Sequence, residues 1–261
     1  MGEISGTKEW SSHSQNIQTG CSHNCGYCYA RAMAMRFRRV EKETWKEPQI
    51  RDLPKKYKKR VGRIMFPTSH DISPLNINES LEVLKGMLEV GNDVLIVSKP
   101  HKECIEVLCE ELEQYKSQIV FRFSIGSLDS KILKLWEPGA PSFEERFDCL
   151  KYAFEKGFVT SVSMEPILDT SEDNIVKLVD TLLPYVNDSI WLGKMNRLRS
   201  TLSNNKITHL NDEADKLIAS QSDARIKSLY ARLNSYEKLK YKESIKKIVG
   251  IKLQTKAGED V

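Results

Sequence analysis

Gly20-Cys21-Ser22-His23-Asn24-Cys25-Gly26-Tyr27-Cys28-Tyr29 is the stretch from which the rest of this chain can be read. Its three cysteines are spaced C-x3-C-x2-C, with an aromatic residue directly before the third. That is one thiolate fewer than the closed four-ligand sets of structural zinc and ferredoxin-type sites. Three sulfurs can hold three irons of a [4Fe–4S] cube and leave the fourth iron open to an exchangeable ligand, which suggests chemistry more than stapling. A second reading has His23 complete a Cys3His zinc site from inside the loop, although no other C-x2-C pair exists in the chain. Free thiols or a disulfide form a third, but a disulfide framework suits a short secreted chain better than six cysteines in 261 residues.

A chain of 261 residues, 40% hydrophobic and 29% charged, can build one barrel-sized α/β domain with a modest appendage. No run approaches the ~20 apolar residues needed to cross a bilayer, so no membrane partner is expected. The opening Met1-Gly2-Glu3-Ile4-Ser5 lacks a basic segment followed by an apolar one, and a cytoplasmic location is expected. The net charge of +4 is uneven: residues 36–63 hold twelve Lys and Arg against four acids, a local +8, which leaves −4 for the remainder. Such a patch can meet phosphates, and its interleaved Phe37, Trp45 and Tyr57 can stack on bases. A solvated, Lys-rich connector is the plainer alternative.

Short β-like runs alternate with amphipathic helical stretches, the pattern of βα units and a parallel sheet. Strands are expected at 16–19, 63–66, 93–97, 118–124, 159–164 and 189–193. Helices are expected at about 29–40, 79–90, 103–115, 142–156 and 172–183. Ser142 and Glu145 form a capping box, and Gly157 can take the C′ position of that helix. Residues 206–249 read as two or three charged helices. In parallel α/β barrels the working face lies at the carboxyl ends of the strands. The cysteine loop follows the first strand there, joined by Ser69, His70 and Asp71 after the second and Ser98, Lys99 and His101 after the third. Ser124, Glu165 and Asn196 follow on the remaining three. Cys104, Cys109 and Cys149 lack clustered spacing and read as ordinary buried thiols.

The cysteine run resembles the C-x3-C-x-aromatic-C motif of radical S-adenosylmethionine (SAM) enzymes. This resemblance implies a partial (βα)6 barrel over residues 1–200, with residues 201–261 as a C-terminal helical extension. It implies Cys21, Cys25 and Cys28 as ligands of a [4Fe–4S] cluster whose open iron chelates SAM, with Tyr27 beside the adenine. Reductive cleavage would then give a 5′-deoxyadenosyl radical that abstracts hydrogen from a substrate, the electron coming from a flavodoxin- or ferredoxin-like donor. By the same resemblance Ser69 or Asp71 would hold the SAM amino group, Ser124 would add a polar contact to ribose or carboxylate, and Glu165 and Asn196 would support the adenine, while Ser98 would line the same cavity from the end of the third strand. The Gly-Gly-Glu usual after the second strand is replaced by Thr68-Ser69-His70. The phrase from Glu137 to Arg146 looks like members related to spore photoproduct lyase, and Met164-Glu165-Pro166 is similar to a phage-associated radical SAM group. A nucleic-acid base or lesion is the substrate class these features favour. The alternatives are a non-catalytic, metal-stapled module that binds nucleic acid or protein, and a radical SAM scaffold that acts only with a partner protein.

Overall fold

Parallel neighbouring strands need crossover connections, and the alternating pattern of this sequence supplies helices for them. The computed structural model describes residues 4–259; residues 1–3, on which part of the N-terminal reading rests, lie outside the described residues. Seven strands form one parallel sheet in the order β1 (His13–Ser14), β4 (Ile64–Phe66), β5 (Val94–Ser98), β6 (Ile119–Ser124), β7 (Val159–Met164), β8 (Ile190–Leu192) and β9 (Leu239–Tyr241). A separate antiparallel pair joins β2 (Gln18–Thr19) to β3 (Gln49–Ile50). The crossovers are α1 (Tyr29–Arg36), α2 (Ile77–Glu89), α3 (Lys102–Glu111), α4 (Ser130–Trp136), α5 (Phe143–Glu155) and α6 (Glu172–Leu182). Four helices follow β8: α7 (Leu198–Asn204), α8 (Asn211–Ser220), α9 (Asp223–Leu233) and α10 (Glu243–Val249).

The period-2 geometry of a strand divides each one between two environments. Phe121 and Phe123 of β6, and Val162 and Met164 of β7, join the core shared with the crossover helices. Their alternates turn to the opposite face, where Met65, Leu95, Val120 and Trp191 gather around Trp10. Arg122 is fully buried there, its guanidinium 4.8 Å from the Trp10 ring and 5.5 Å from that of Trp191. Burying that much apolar surface is the main stabilising force of the fold.

Most expected elements fall within one or two residues of these bounds, and Ser142 caps α5 by accepting from the Glu145 amide at 3.3 Å. Two helices end about four residues early, α1 at Arg36 and α3 at Glu111, and three further features differ. The strand expected at 16–19 does not enter the main sheet, whose edge is His13–Ser14 instead. Asn16 turns its side chain to the loop after β4, accepting from the amides of Thr68 (2.8 Å) and Ser69 (2.9 Å), and the Ile17 amide donates to His70 Nε2. The stretch between β6 and the helix expected at 142–156, where no element is expected, contains α4, capped by Asp129. The segment read as wholly helical contributes β9, which pairs with β8. No helix among the described residues is long and apolar enough to cross a membrane.

Candidate functional site

The cysteine loop spans the space between the end of the sheet and α1, and other segments hold it by its backbone. The Cys21 amide donates to Trp45 O at 2.8 Å and the Gly26 amide to Trp136 O at 2.7 Å. Asn205 Nδ2, from the end of α7, donates to the carbonyls of Gly26 and Cys28 at 3.1 and 3.0 Å. Cys28 is the N-cap of α1 and its sulfur accepts from the Arg31 amide. From behind, the Gly139 amide donates to His23 O at 3.0 Å, and a β-carbon at position 139 would lie 2.2 Å from Ser22 O. Only glycine fits so close to another backbone.

Cys21, Cys25 and Cys28 wall one cavity of about 120 Å³, together with Tyr27, Tyr29, Ser69, His70, Asp71 and Lys99. Among the described residues no three His, Cys, Asp or Glu side chains converge on one ion-sized point; the thiols are arrayed around a hollow. Burial pushes Cys21 up to about 12 and raises Cys25 and Cys28 as well. Two cations face these sulfurs. Burial opposes the charge of Lys99, but Cys25, Glu137 and Asp71 together keep its ammonium firmly protonated. Arg31 is buried beside Cys28 and Cys25, and among the described residues its Nε and Nη2 have no hydrogen-bond partner.

The other polar groups form two linked networks. Asp71 accepts from the Ser98 hydroxyl and from the Lys99 amide at 2.9 Å, and its Oδ2 lies 3.2 Å from His23 Nδ1. Burial would raise its carboxyl, yet His23, Lys99 and Ser98 hold it below the usual carboxylate range. His23 Nε2 meets His101 Nε2 at 2.8 Å, so the two ring nitrogens of His23 are engaged by Asp71 and His101. In the second network the Tyr27 hydroxyl donates to Glu137, which pairs with Arg146 at 2.6 Å and lies 4.0 Å from Lys99. Arg146 also donates to Ser124 O at 3.1 Å.

Of the residues nominated from the sequence, the three cysteines, Tyr27, Ser69 and Asp71 thus meet around one cavity. Ser98 stands one step behind, bonded to Asp71, and Ser124 is joined to the site through its carbonyl and Arg146. Glu165 pairs with the buried Lys242 at 3.3 Å, and Asn196 is exposed on the loop after β8. Glu137, Arg146 and Trp45 were not singled out by spacing. For Glu137 the available signal was its place in the Glu137–Arg146 phrase. Of the three aromatics interleaved in the basic segment, Trp45 is buried against the cysteine loop and Tyr57 packs its ring over Gly86, which leaves only Phe37 in the open.

Three thiols around one hollow, Cys21 and Cys25 buried and Cys28 half-buried, with two cations beside them and orphaned guanidinium donors, fit an anionic iron–sulfur cluster. Residues 16–182 match the family model described as the radical SAM superfamily, and this chain belongs to that superfamily. It is 28% identical over 166 residues to an uncharacterized protein of Acidianus two-tailed virus, covering 58% of this chain and 54% of that protein. It is also 26% identical over 179 residues to an uncharacterized protein of Methanocaldococcus jannaschii, covering 66% of each. The match therefore spans between half and two thirds of these curated relatives. The fold is like that of spore photoproduct lyase complexed with dinucleoside spore photoproduct (TM-score 0.56, 13% identity, 88% of this chain and 76% of that one). It is also like Streptococcus suis SuiB bound to S-adenosylmethionine (TM-score 0.52, 15% identity, 89% and 50%).

Proposed function

We propose that this chain is a radical SAM enzyme in which Cys21, Cys25 and Cys28 hold a [4Fe–4S] cluster with one iron open to SAM. The observation that carries this is the meeting of all three cysteines with Tyr27, Asp71 and Lys99 around one cavity. When bound, cluster and SAM supply reductive cleavage to a 5′-deoxyadenosyl radical, with an external flavodoxin- or ferredoxin-like donor as the electron source.

The chain's own residues prepare that chemistry. Burial alone holds the thiols protonated, so metal binding must release their protons. Lys99 and Arg31 then offset the negative charge that develops on the sulfurs. Glu137 fixes the hydroxyl of Tyr27, so that its ring stands still at the cavity wall. Ser69 and Asp71 supply the polar edge at the end of β4, and Lys99 gives that edge a fixed positive charge suited to a carboxylate. A nucleic-acid base or lesion is the proposed substrate class, supported by the +8 segment over residues 36–63 and by the dinucleoside seen with one structural neighbour.

The test is anaerobic reconstitution with iron and sulfide, then reduction by dithionite in the presence of SAM. 5′-Deoxyadenosine should accumulate above a Cys28→Ala control, even without the substrate. Zinc in place of iron and sulfide in anaerobically purified protein would instead indicate a metal-stapled binding module. Product that appears only after addition of a cell extract would point to a required partner protein.

A further inference from the structure

One face of α1 carries three large apolar side chains in the open. Tyr29, Met33 and Phe37 are 51%, 53% and 56% exposed, and their spacing of four residues sets them in one line along the helix. The line begins at the cavity, which Tyr29 helps to wall, and reaches Phe37 ~12 Å away at 1.5 Å per residue. Beside its far end lies a groove of about 410 Å³ between α1 and α7, lined by Arg36, Arg38, Glu41, Asn204 and Lys206. Arg36 belongs to both features: it lines the groove, and its guanidinium lies 5.9 Å from the Phe37 ring, with that of Arg39 at 5.5 Å.

Two of the groove's cations stand on left-handed backbone, Arg38 at φ 54 and Lys206 at φ 53. Each directly follows the C-cap of its helix, Phe37 for α1 and Asn205 for α7. Glycine would occupy that position with least strain. Here the chain places a positive charge on both walls instead.

An exposed apolar line taken alone fits many partners, and charge decides among them. Residues 36–63 carry +8 against −4 for the rest of the chain. The part of that segment from Lys55 to Arg60 is elsewhere, docked on Asn92 just before β5 at the amino end of the sheet. Its first part, residues 36–54, holds six Lys and Arg against four acids, a local +2, and the groove itself sets Arg36, Arg38 and Lys206 against Glu41 alone. A concave cationic groove accepts a phosphodiester, and open aromatic faces accept unstacked bases.

We propose that α1 and the groove at its C-terminal end form a track for single-stranded nucleic acid. Arg36, Arg38 and Lys206 hold its phosphates, and its bases lie on Phe37 and Tyr29 on the way to the cavity. The assignment rests on the substrate class given above, but not on SAM cleavage.

The test is a fluorescence-anisotropy titration of the reconstituted protein with a labelled oligothymidylate of about twelve nucleotides, repeated over a range of salt. Binding should weaken with salt, and Arg38→Gly and Lys206→Gly should each reduce the log–log slope by about 0.7. Neither should lower the melting temperature, because glycine is relaxed at both positions. Phe37→Ala should weaken binding on the order of tenfold and leave the slope unchanged. Lack of binding at low salt would overturn the proposal. So would binding indifferent to all three substitutions, or a duplex that binds as tightly without needing Phe37. Displacement of the oligonucleotide from none of these variants, together with crosslinking of an acidic redox protein at position 37, would assign the face to a protein partner and overturn it as well. Oligonucleotide binding without deoxyadenosine formation would support the track while sinking the enzymatic reading; the reverse result would sink the track alone.

Discussion

At the scale of single residues, the site depends on charges buried in pairs. Glu137 is the centre of one such group, accepting from Tyr27 and pairing with Arg146, with both carboxylate and guanidinium almost fully buried. Burial would raise its carboxyl, but Arg146, Lys99 and Tyr27 hold it low. Glu137→Gln leaves the Arg146 guanidinium without its counter-charge, and losing one partner of a buried pair costs about 3–5 kcal/mol. Chemical denaturation should show a loss of that size, while the glutamine carbonyl can still accept from the Tyr27 hydroxyl. His70 gives a pH dependence. Its Nε2 accepts from the Ile17 amide and its Nδ1–H donates to Asp71 O, while burial lowers its pKa from 6.5 to about 4. The unfolded chain takes up a proton below 6.5 and the folded one does not, so this group's stability is present above 6.5. It is lost as pH falls toward 4, by about 3 kcal/mol at most. His70→Gln should flatten that part of the stability–pH curve; an unchanged slope would mean that other groups set it. The cysteines were legible because spacing within ten residues is a local signal. Glu137 was not, because its partners come from three separated parts of the chain.

At the scale of elements, legibility follows how much of an element's reason lies inside it. β6, β7 and α5 declare themselves through period-2 runs or a capping box, and they fall where expected. β9 is three residues, Leu239-Lys240-Tyr241, set between charged helices, and only pairing with β8 makes it a strand. The displaced first strand has the same kind of cause, since Asn16 serves the loop after β4 in place of the sheet. Two glycines test how closely elements are fitted at the site. Gly139→Ala puts a β-carbon 2.2 Å from Ser22 O and 3.0 Å from His23 Cα, both backbone atoms of the cysteine loop. The loop has to move, so iron incorporated on reconstitution should fall well below the wild-type amount. Gly157→Ala meets nothing within 4 Å, although its φ of 79 strains any other residue. It should cost about 1–2 kcal/mol and leave iron content unchanged. Equal iron in both variants would show that the loop does not need its close backing.

At the scale of the whole molecule, one buried lysine joins the segment before β1 to the last strand, beside hydrogen bonds from Glu243, Gln254 and Gly258 to Glu9 and Lys8. Lys242, directly after β9, is fully buried with its Nζ 2.9 Å from Glu9 Oε1, 3.3 Å from Glu165 Oε2 and 2.8 Å from Gly6 O. It also lies 4.0 Å from the centre of the Trp10 ring. The contact ties the N-terminal segment, the end of β7 and the last strand into one closure beside the sheet. That accounts for Glu165 being paired within the protein, which no local pattern announces. Burial raises Glu9 to about 7, with Lys242 acting in the opposite direction. Removing the ammonium in Lys242→Met takes that downward pull away, so the carboxyl of Glu9 should rise further. A carboxyl that is raised in the fold holds its proton at pH values where the unfolded chain has already released it. The variant's stability should therefore decline as pH rises from about 4.5 through 7, and the cost relative to wild type should be smallest near pH 5. Toward pH 8 it should approach the about 3–5 kcal/mol expected for an uncompensated buried charge. Adding Glu9→Gln to Lys242→Met should recover part of the loss at pH 8 and little at pH 5, a coupling that a double-mutant cycle measures directly. A loss of the same size at both pH values, with no recovery in the double variant, would mean that Lys242 acts through packing on Trp10 and not through its charge.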